Sequence, residues 1–296
     1  MATLWSPICD QLGIEVPIFG FAHDIATVAA ISNAGGYGVY GATRRFPDEI
    51  TQELAQIKAL VGARPFGVDL VLPPGMPEHD SREAIEIDIP DEHKAFVQSI
   101  IEQYNIPPAT QPGMRTRFIR SAEIEAAQIQ SVLASPVNMF ACGIGAPAAV
   151  IEAAKAQGMT TLALIGSPHH VARTIAAGVD IIVAQGYDAG AHTGTIGTYS
   201  LVPQIVEAAG EVPVLVAGGV ATGKHIAAAL AMGAQGVWMG TAWLFSEEHQ
   251  GHMHPINTQK LIEAGSGDTV ITRSESGKTF RQVRSGWSQA WEAEGA

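Results

Sequence analysis

Residues 212–244 read VPVLVAGGVATGKHIAAALAMGAQGVWMGTAWL, with two apolar strands on either side of an alanine-rich helix. The first strand ends at Gly218–Gly219 and the second at Gly240–Thr241. Aliphatic runs without polar alternation are typical of parallel strands that are buried on both faces. A strand, a helix and a second strand in this order predict a right-handed βαβ unit. The run 226–245 carries no charge and is long enough to cross a bilayer, but its glycines favour a helix, a turn and a strand in a protein core.

The same unit recurs along the whole chain. Eight apolar stretches of strand length lie at 17–20, 37–41, 66–72, 136–142, 160–166, 180–186, 212–219 and 235–241. Strands that alternate with helical patterns predict parallel pairing, and eight such units favour an α/β fold of the closed (β/α)8 TIM-barrel type. An open doubly wound sheet remains the alternative, although its glycine fingerprint would follow the first strand rather than the last two.

One segment, 73–135, is too long for a single strand–helix unit. A helix is predicted over 91–105, whose apolar residues share one face: Phe96, Val97, Ile100, Ile101 and Tyr104. We therefore divide the chain into a barrel domain, 1–72 with 136–296, and an inserted helical segment, 73–135. An insertion after the third strand leaves the catalytic end of a barrel, so it is either a lid over the site or a surface elaboration.

Composition narrows the class of partner. The chain has 17 basic and 29 acidic residues, a net charge of −12, which argues against nucleic acid and anionic membranes as partners. Cys9 and Cys142 lie far apart and suit neither a disulfide framework nor a zinc site. The start of the sequence lacks the basic and apolar regions of a signal peptide, so we expect a cytoplasmic protein.

Two sets of residues carry chemistry. The glycines at 218, 219 and 240 let backbone amides approach an anion, and the Thr241 hydroxyl adds a donor, which predicts a phosphate site at the last two strands. His192 lies among small residues in AQGYDAGAHTG (184–194), on the loop after the sixth strand and therefore on the same face. An imidazole there is able to act as a base near neutral pH.

AQGYDAGAHTG resembles the histidine loop of the nitronate monooxygenase (2-nitropropane dioxygenase) family. The segments 17–41, 212–244 and 276–291 are similar to that family's opening strand, phosphate segment and tail. The resemblance implies a TIM barrel that binds FMN noncovalently. It also implies an oxidoreductase that oxidises a nitronate, a nitroalkane or a similar small carbon acid with O2 to a carbonyl compound and nitrite.

The resemblance also implies roles for individual residues. His192 would be the catalytic base, or the partner of an anionic nitronate. The residues expected to hold FMN are Gly218, Gly219, Gly240 and Thr241 at the phosphate, Gln185 and Gly186 near the ribityl chain or ring, and Phe21 and Ala22 along the ring edge.

This chain departs from the family pattern at two positions beside the flavin. Asp69 stands where the family commonly has asparagine, and a carboxylate there would disfavour negative charge on the reduced ring or be protonated by burial. His23 follows the first strand and either faces the substrate or caps the next helix beside Asp24. The histidines at 169–170 are read as an ordinary helix start, and HQGHMH (249–254) is not expected to bind a metal.

Other functions remain open at this point. The same flavin barrel would suit an NAD(P)H-dependent reductase of quinones or enoyl thioesters, or a non-catalytic protein that binds FMN or a phosphate metabolite. A thiol-dependent dehydrogenase would need Cys142 as its nucleophile, and the histidine loop has no place in that scheme. The sequence leaves open whether the protein forms a homo-oligomer.

Overall fold

The computed structural model describes residues 4–78, 81–111, 113, 117–249 and 253–293. Eight parallel strands close into a barrel in chain order, and the first strand pairs with the last. They are β1 (Ile18–Ala22), β2 (Tyr37–Gly41), β3 (Phe66–Val71), β4 (Met139–Ile144), β5 (Thr160–Ile165), β6 (Ile181–Gln185), β8 (Val214–Ala217) and β9 (Gly236–Met239). The (β/α)8 TIM barrel predicted from the repeated apolar runs is confirmed.

Helices surround this barrel. They are α1 (Pro7–Leu12), α2 (Ile25–Asn33), α3 (Pro47–Val61), α4 (Arg82–Asp88), α5 (Asp91–Gln103), α6 (Ala122–Leu133), α7 (Ala148–Ala156), α8 (Val171–Ala176), α9 (Thr198–Ala209), α10 (Gly223–Ala231), α11 (Pro255–Glu263) and α12 (Gly286–Ala293). Two short 3₁₀ helices lie at Pro168–His170 and Thr241–Phe245. No helix in the described ranges has the length and apolarity needed to cross a membrane.

Successive residues of each strand point alternately into the barrel and toward the helices. In β3, Val68 and Leu70 pack with the helix layer. Asp69, between them, therefore points into the barrel. In β6, Ile182 and Ala184 likewise pack outward, so Gln185 points inward. This alternation brings polar side chains to the carboxyl end of an otherwise apolar interior.

The described residues of the long connection between β3 and β4 include the helices α4, α5 and α6, and the sequence predicted a helical insertion there. The last of them, α6, packs against α3 in the outer helix layer of the barrel. The middle one, α5, contacts the C-terminal helix α12, where the Phe96 ring lies 5.8 Å from Trp287 and 6.0 Å from Trp291. Its predicted apolar face is only partly covered, since Ile100 is buried and Val97 is 43% exposed.

A second sheet lies beside the barrel and was not anticipated from the sequence. It has three antiparallel strands in the order β10 (Thr269–Thr272), β11 (Phe280–Val283) and β7 (Ala191–His192). The short β7 belongs to the loop after β6, and its partner β11 comes from the C-terminal part of the chain. The C-terminal segment is therefore joined directly to the histidine loop.

Candidate active site

The late glycines meet at the carboxyl ends of β8 and β9. These strands pair in register through Ala217 and Trp238, so the turns that follow them are neighbours. Gly218 and Gly219 have φ angles of +102° and +74°, which L side chains rarely adopt. A Cβ at Gly218 would lie 2.9 Å from both the backbone nitrogen of Ala189 and a side-chain oxygen. Such a cradle, which a side chain would fill, fits a phosphate group.

The loop after β6 reaches the same cradle. A Cβ at Gly190 would lie 2.7 Å from the Thr241 hydroxyl oxygen, and a Cβ at Gly186 would collide with Thr198. Asp188 accepts a hydrogen bond of 2.9 Å from the Thr198 amide at the start of α9. This backbone hydrogen bond is the main cause that holds the pKa of Asp188 below its usual value. The glycines at 186 and 190 therefore allow three loops to converge around Thr241.

The mouth of the barrel is formed by inward-pointing residues at the strand ends. Phe21 of β1 stacks on Trp238, with ring centroids 5.7 Å apart, and lies beside Gly240. Ala22, the next residue, is buried and packs outward against the helix layer, so only its backbone faces the mouth. The Gln185 side chain donates a hydrogen bond of 3.0 Å to the backbone oxygen of residue 192. An apolar floor with a few polar groups suits a flat aromatic ligand.

Asp69 is the buried carboxyl group of this mouth. It is 4% exposed, and its Oδ2 atom has no hydrogen-bond partner in the described parts of the chain. Burial raises the pKa of Asp69 to about 7, and the positive charge of Arg120 opposes that rise. A Cβ at Gly143 would lie 3.1 Å from both carboxylate oxygens, so a side chain there would crowd them. A bound ligand that donates a hydrogen bond to Asp69 Oδ2 would satisfy this buried oxygen.

Arg120 is a site residue that the sequence analysis missed. Its side chain is 10% exposed, and it donates hydrogen bonds to the Val71 backbone oxygen and, over 3.1 Å, to Glu125. Its Nε atom has no partner within the described ranges. Burial lowers the pKa of Arg120, while Glu125 and Asp69 raise it. Nothing in the local pattern before α6 distinguishes this arginine from a surface residue.

His192 lies in β7 and is held by the C-terminal segment. Its Nε2 atom is 2.6 Å from the Ser276 hydroxyl, and its ring packs edge-on against Phe280 with centroids 5.1 Å apart. Ala191, just before it, has a φ of +64°. His192 is half-buried, because β11 covers one side of its ring, a contact that the small residues around it did not indicate. Both residues that contact His192 belong to the tail motif SGKTFRQV (276–283).

A cavity of about 1460 Å³ opens at this end of the barrel. His192, Gln185 and Thr193 line it, together with the ends of β3, β4 and β5 and the turn between β10 and β11. The late glycines and Asp69 do not line this cavity. The predicted site residues therefore fall into two neighbouring groups, joined by the loop after β6.

The sequence left open whether His23 faces the substrate or caps the following helix beside Asp24. Asp24 caps α2 by accepting a hydrogen bond of 2.7 Å from the Thr27 amide. His23 is exposed, lies 3.0 Å through Nδ1 from the Gly41 backbone oxygen, and packs against Phe21. The helix cap is therefore Asp24, and His23 lies at the barrel mouth.

The remaining candidates have structural partners. His249 of the HQGHMH stretch is buried and lies 2.7 Å from Asp24, whereas residues 250–252 are outside the described residues. In the described part, no group of three potential metal ligands is found. Ser167 caps the turn that begins at Pro168, as expected for a helix start. Cys142 is buried among the outer helices, and burial, followed by the charge of Asp69, raises the pKa of its thiol to about 12, which argues against a nucleophile.

The sequence profile of the family described as nitronate monooxygenase matches residues 8–296. The chain is 40% identical over 295 residues to a Mycobacterium tuberculosis protein named as a monooxygenase, covering 96% of this chain and 78% of that protein. It is 30% identical over 288 residues to a Bacillus subtilis protein named as a nitronate monooxygenase, with coverages of 93% and 77%.

Solved structures agree with this assignment. A nitroalkane oxidase from Streptomyces ansochromogenes superposes with a TM-score of 0.78 and 27% identity, over 96% of this chain and 80% of that one. FabK from Thermotoga maritima superposes with a TM-score of 0.73 and 25% identity, over 98% and 82%. The chain therefore belongs to the nitronate monooxygenase family and is a flavin-dependent oxidoreductase.

Proposed function

We propose that the protein is an FMN-dependent enzyme that oxidises a small nitronate or nitroalkane with O2, giving a carbonyl compound and nitrite. The observation that carries this proposal is the position of His192. It lines the cavity at the carboxyl end of the barrel, and its loop also reaches the glycine cradle at Thr241. Because the loop that carries His192 also reaches the glycine cradle, His192 would face a coenzyme whose phosphate is bound in that cradle.

The cradle residues Gly218, Gly219, Gly240 and Thr241 would hold the FMN phosphate through backbone amides and a hydroxyl. The isoalloxazine ring would lie across the barrel mouth, near Phe21, Ala22, Asp69, Gln185 and Gly186. Bound FMN would supply the electron-accepting chemistry that amino-acid side chains lack. The protein residues would bind, orient and desolvate the reacting groups.

His192 would take the α-proton from a neutral nitroalkane at a ring nitrogen, or hold a nitronate that is already anionic. Ser276 and Phe280 fix the orientation of the imidazole, which a base needs in order to meet its substrate. His23, at the same mouth, is a candidate substrate contact. Gln185 would position the loop because it bonds the backbone of His192.

The first experiment is an absorption spectrum of the purified protein, followed by nitrite assays. We expect oxidised-flavin bands, release of FMN on denaturation, and nitrite from nitroethane. The His192→Asn variant should lower kcat/KM for nitroethane by about 10²- to 10⁴-fold, the range for loss of a general base. It should lower the value for ethyl nitronate much less, because that substrate has already lost the proton.

The matched control is His169→Asn, which changes an exposed histidine that does not line the cavity. Its rates should equal those of the wild type. A colourless protein that does not take up FMN would overturn the cofactor. Equal nitroethane rates in His192→Asn and wild type would overturn the catalytic role, and rapid anaerobic bleaching by NADH without nitrite formation would favour the reductase alternative.

The remaining parts of the proposal concern organisation. Residues 73–135 would form a lid or a helical subdomain beside the barrel domain formed by 1–72 and 136–296. Limited proteolysis with and without substrate would distinguish the two, because only a lid should become protected by substrate. We propose a cytoplasmic enzyme whose partners are its small-molecule substrate and O2. Self-association as a homo-oligomer would be tested by sedimentation.

A further inference from the structure

The cavity beside His192 is lined by more positive than negative side chains, although the protein as a whole is negatively charged. Its lining includes three cations, Arg173, Arg273 and Lys278, and one carboxylate, Glu125. That carboxylate is already paired with Arg120. In the part of the chain that the structure describes, the three cations have neither an ion pair nor a side-chain hydrogen bond. Unneutralised positive charge is therefore concentrated on one cavity of a chain whose net charge is −12.

The fold places two of these cations next to His192. The turn between β10 and β11 is closed by a 2.9 Å hydrogen bond from the Gly277 amide to the Arg273 backbone oxygen, so Arg273 and Lys278 flank one tight turn. Gly277 has a φ of +72°, which this turn requires. Ser276, in the same turn, contacts His192 over 2.6 Å.

The third cation comes from a different element. Arg173 belongs to α8, in the segment that follows β5. His170, which lines the same cavity, has a pKa that is lowered by burial and then by the charge of Arg173, which shows that the arginine acts on this wall. Cations from α8 and from the β10–β11 turn thus face one space.

The size of this space indicates what it holds. At about 1460 Å³ the cavity exceeds the roughly 300–1000 Å³ of ordinary small-molecule sites. It therefore has room beside His192 for a molecule larger than a small nitronate. Guanidinium groups match phosphate oxygens in a bidentate geometry, and an ammonium adds a point charge. Several converging cations favour a phosphate or diphosphate over a single carboxylate.

We infer that Arg173, Arg273 and Lys278 form a subsite for the phosphate or diphosphate tail of a substrate or co-substrate. The reactive end of that molecule lies at His192, and this part of the inference rests on the proposed function. Two sources supply such a tail: a nicotinamide dinucleotide that acts as reductant, or an acyl thioester of coenzyme A that acts as substrate. Both present a diphosphate.

The test measures binding to the FMN-loaded protein by calorimetry, with ADP, inorganic pyrophosphate and adenosine as probes. ADP and pyrophosphate should bind, adenosine should not, and affinity should fall as salt rises. The double variant Arg273→Gln/Lys278→Gln should weaken ADP binding at least about tenfold, since a charged hydrogen bond contributes about one order of magnitude. Arg173→Gln, which changes the cation contributed by α8, should weaken ADP binding by a similar factor.

The matched control, Arg64→Gln/Lys260→Gln, removes one exposed arginine and one exposed lysine that do not line the cavity, and it should bind ADP like wild type. NADPH that bleaches the flavin anaerobically would identify the reductant as the source. Coenzyme A that displaces ADP without bleaching would identify the substrate tail. Equal ADP affinity in the double variant and the control would overturn the subsite, as would pyrophosphate binding no stronger than chloride at equal ionic strength.

The outcomes separate this inference from the proposed function. Nitrite release from nitroethane by the wild-type protein tests the proposed function alone, because nitroethane has no tail that reaches the cations. If no nitronate is oxidised but ADP binding still depends on the cations, the nitronate proposal fails and the subsite stands. If nitrite forms normally and the double variant binds ADP like wild type, the subsite fails and the nitronate proposal stands.

Discussion

Replacing Asp69 by asparagine should change how the stability of the flavin-free protein depends on pH. Asp69 points into the barrel, is buried, and has a pKa raised to about 7 by that burial. In the unfolded chain an aspartate titrates near pH 3.9. The folded state therefore binds the Asp69 proton more tightly, and the contribution of Asp69 to the free energy of unfolding falls as pH rises from about 4 to about 7.

The size of this effect follows from the two pKa values. A difference of about three pH units between the two pKa values corresponds to a destabilisation of the folded state of about 4 kcal/mol. This destabilisation is absent below pH 4 and fully present above pH 7. Asparagine has nearly the same shape but does not ionise. The free energy of unfolding of Asp69→Asn, relative to wild type, should therefore rise by up to about 4 kcal/mol between pH 4 and pH 8.

Urea denaturation of both proteins at several pH values measures this difference, because the other titrating groups cancel between them. Asp48→Asn, which changes an exposed carboxylate in the first turn of α3, is the matched control and should follow the wild-type curve. A variant-minus-wild-type difference that stays flat from pH 4 to pH 8 would refute the reasoning about Asp69.

Three further predictions concern the surroundings of the site. Gly218→Ala should lower the free energy of unfolding by about 1–3 kcal/mol in thermal melts, because of its φ of +102° and its close neighbours, while Gly223→Ala, with open space around it, should not. His249→Gln removes the buried hydrogen-bond partner of Asp24 and should cost about 1–3 kcal/mol at pH 7. Burial raises the pKa of Asp24, but its hydrogen bonds outweigh burial, so the pKa lies below its usual value. The loss of stability in His249→Gln should therefore shrink in denaturation curves as pH falls below about 4. Equal stability of the variant and the wild type at pH 7 would contradict this prediction. A thiol reagent should label neither cysteine in the native protein at pH 8 and should label both after unfolding, because both are buried. Fast labelling of Cys142 in the native protein would contradict its buried position.

The barrel was predictable because its signal is local and repeated. Strands buried on both faces appear as uninterrupted aliphatic runs, and the turn after β8 needs glycine at 218 and 219, so both features are visible in one sequence. The insertion after β3 was predictable from its length alone. These features depend on neighbouring residues, which a single sequence displays directly.

The parts that were missed depend on contacts between distant segments. β7 has two residues, too few to show the apolar–polar alternation that predicts a strand. It pairs with β11, which lies almost ninety residues away in the chain. The contact of Ser276 with His192 and the pair of Asp24 with His249 are likewise long-range. A sequence shows that such residues exist but not which of them meet, so the cover over the histidine loop became evident only in the folded protein.

The most direct measurement is a crystal structure of the FMN-loaded protein. We predict the phosphate within hydrogen-bond distance of the backbone amides at Gly219 and Gly240, with the ring between Asp69 and His192. A phosphate bound instead at Arg273 and Lys278, or a ring far from His192, would contradict the proposed function.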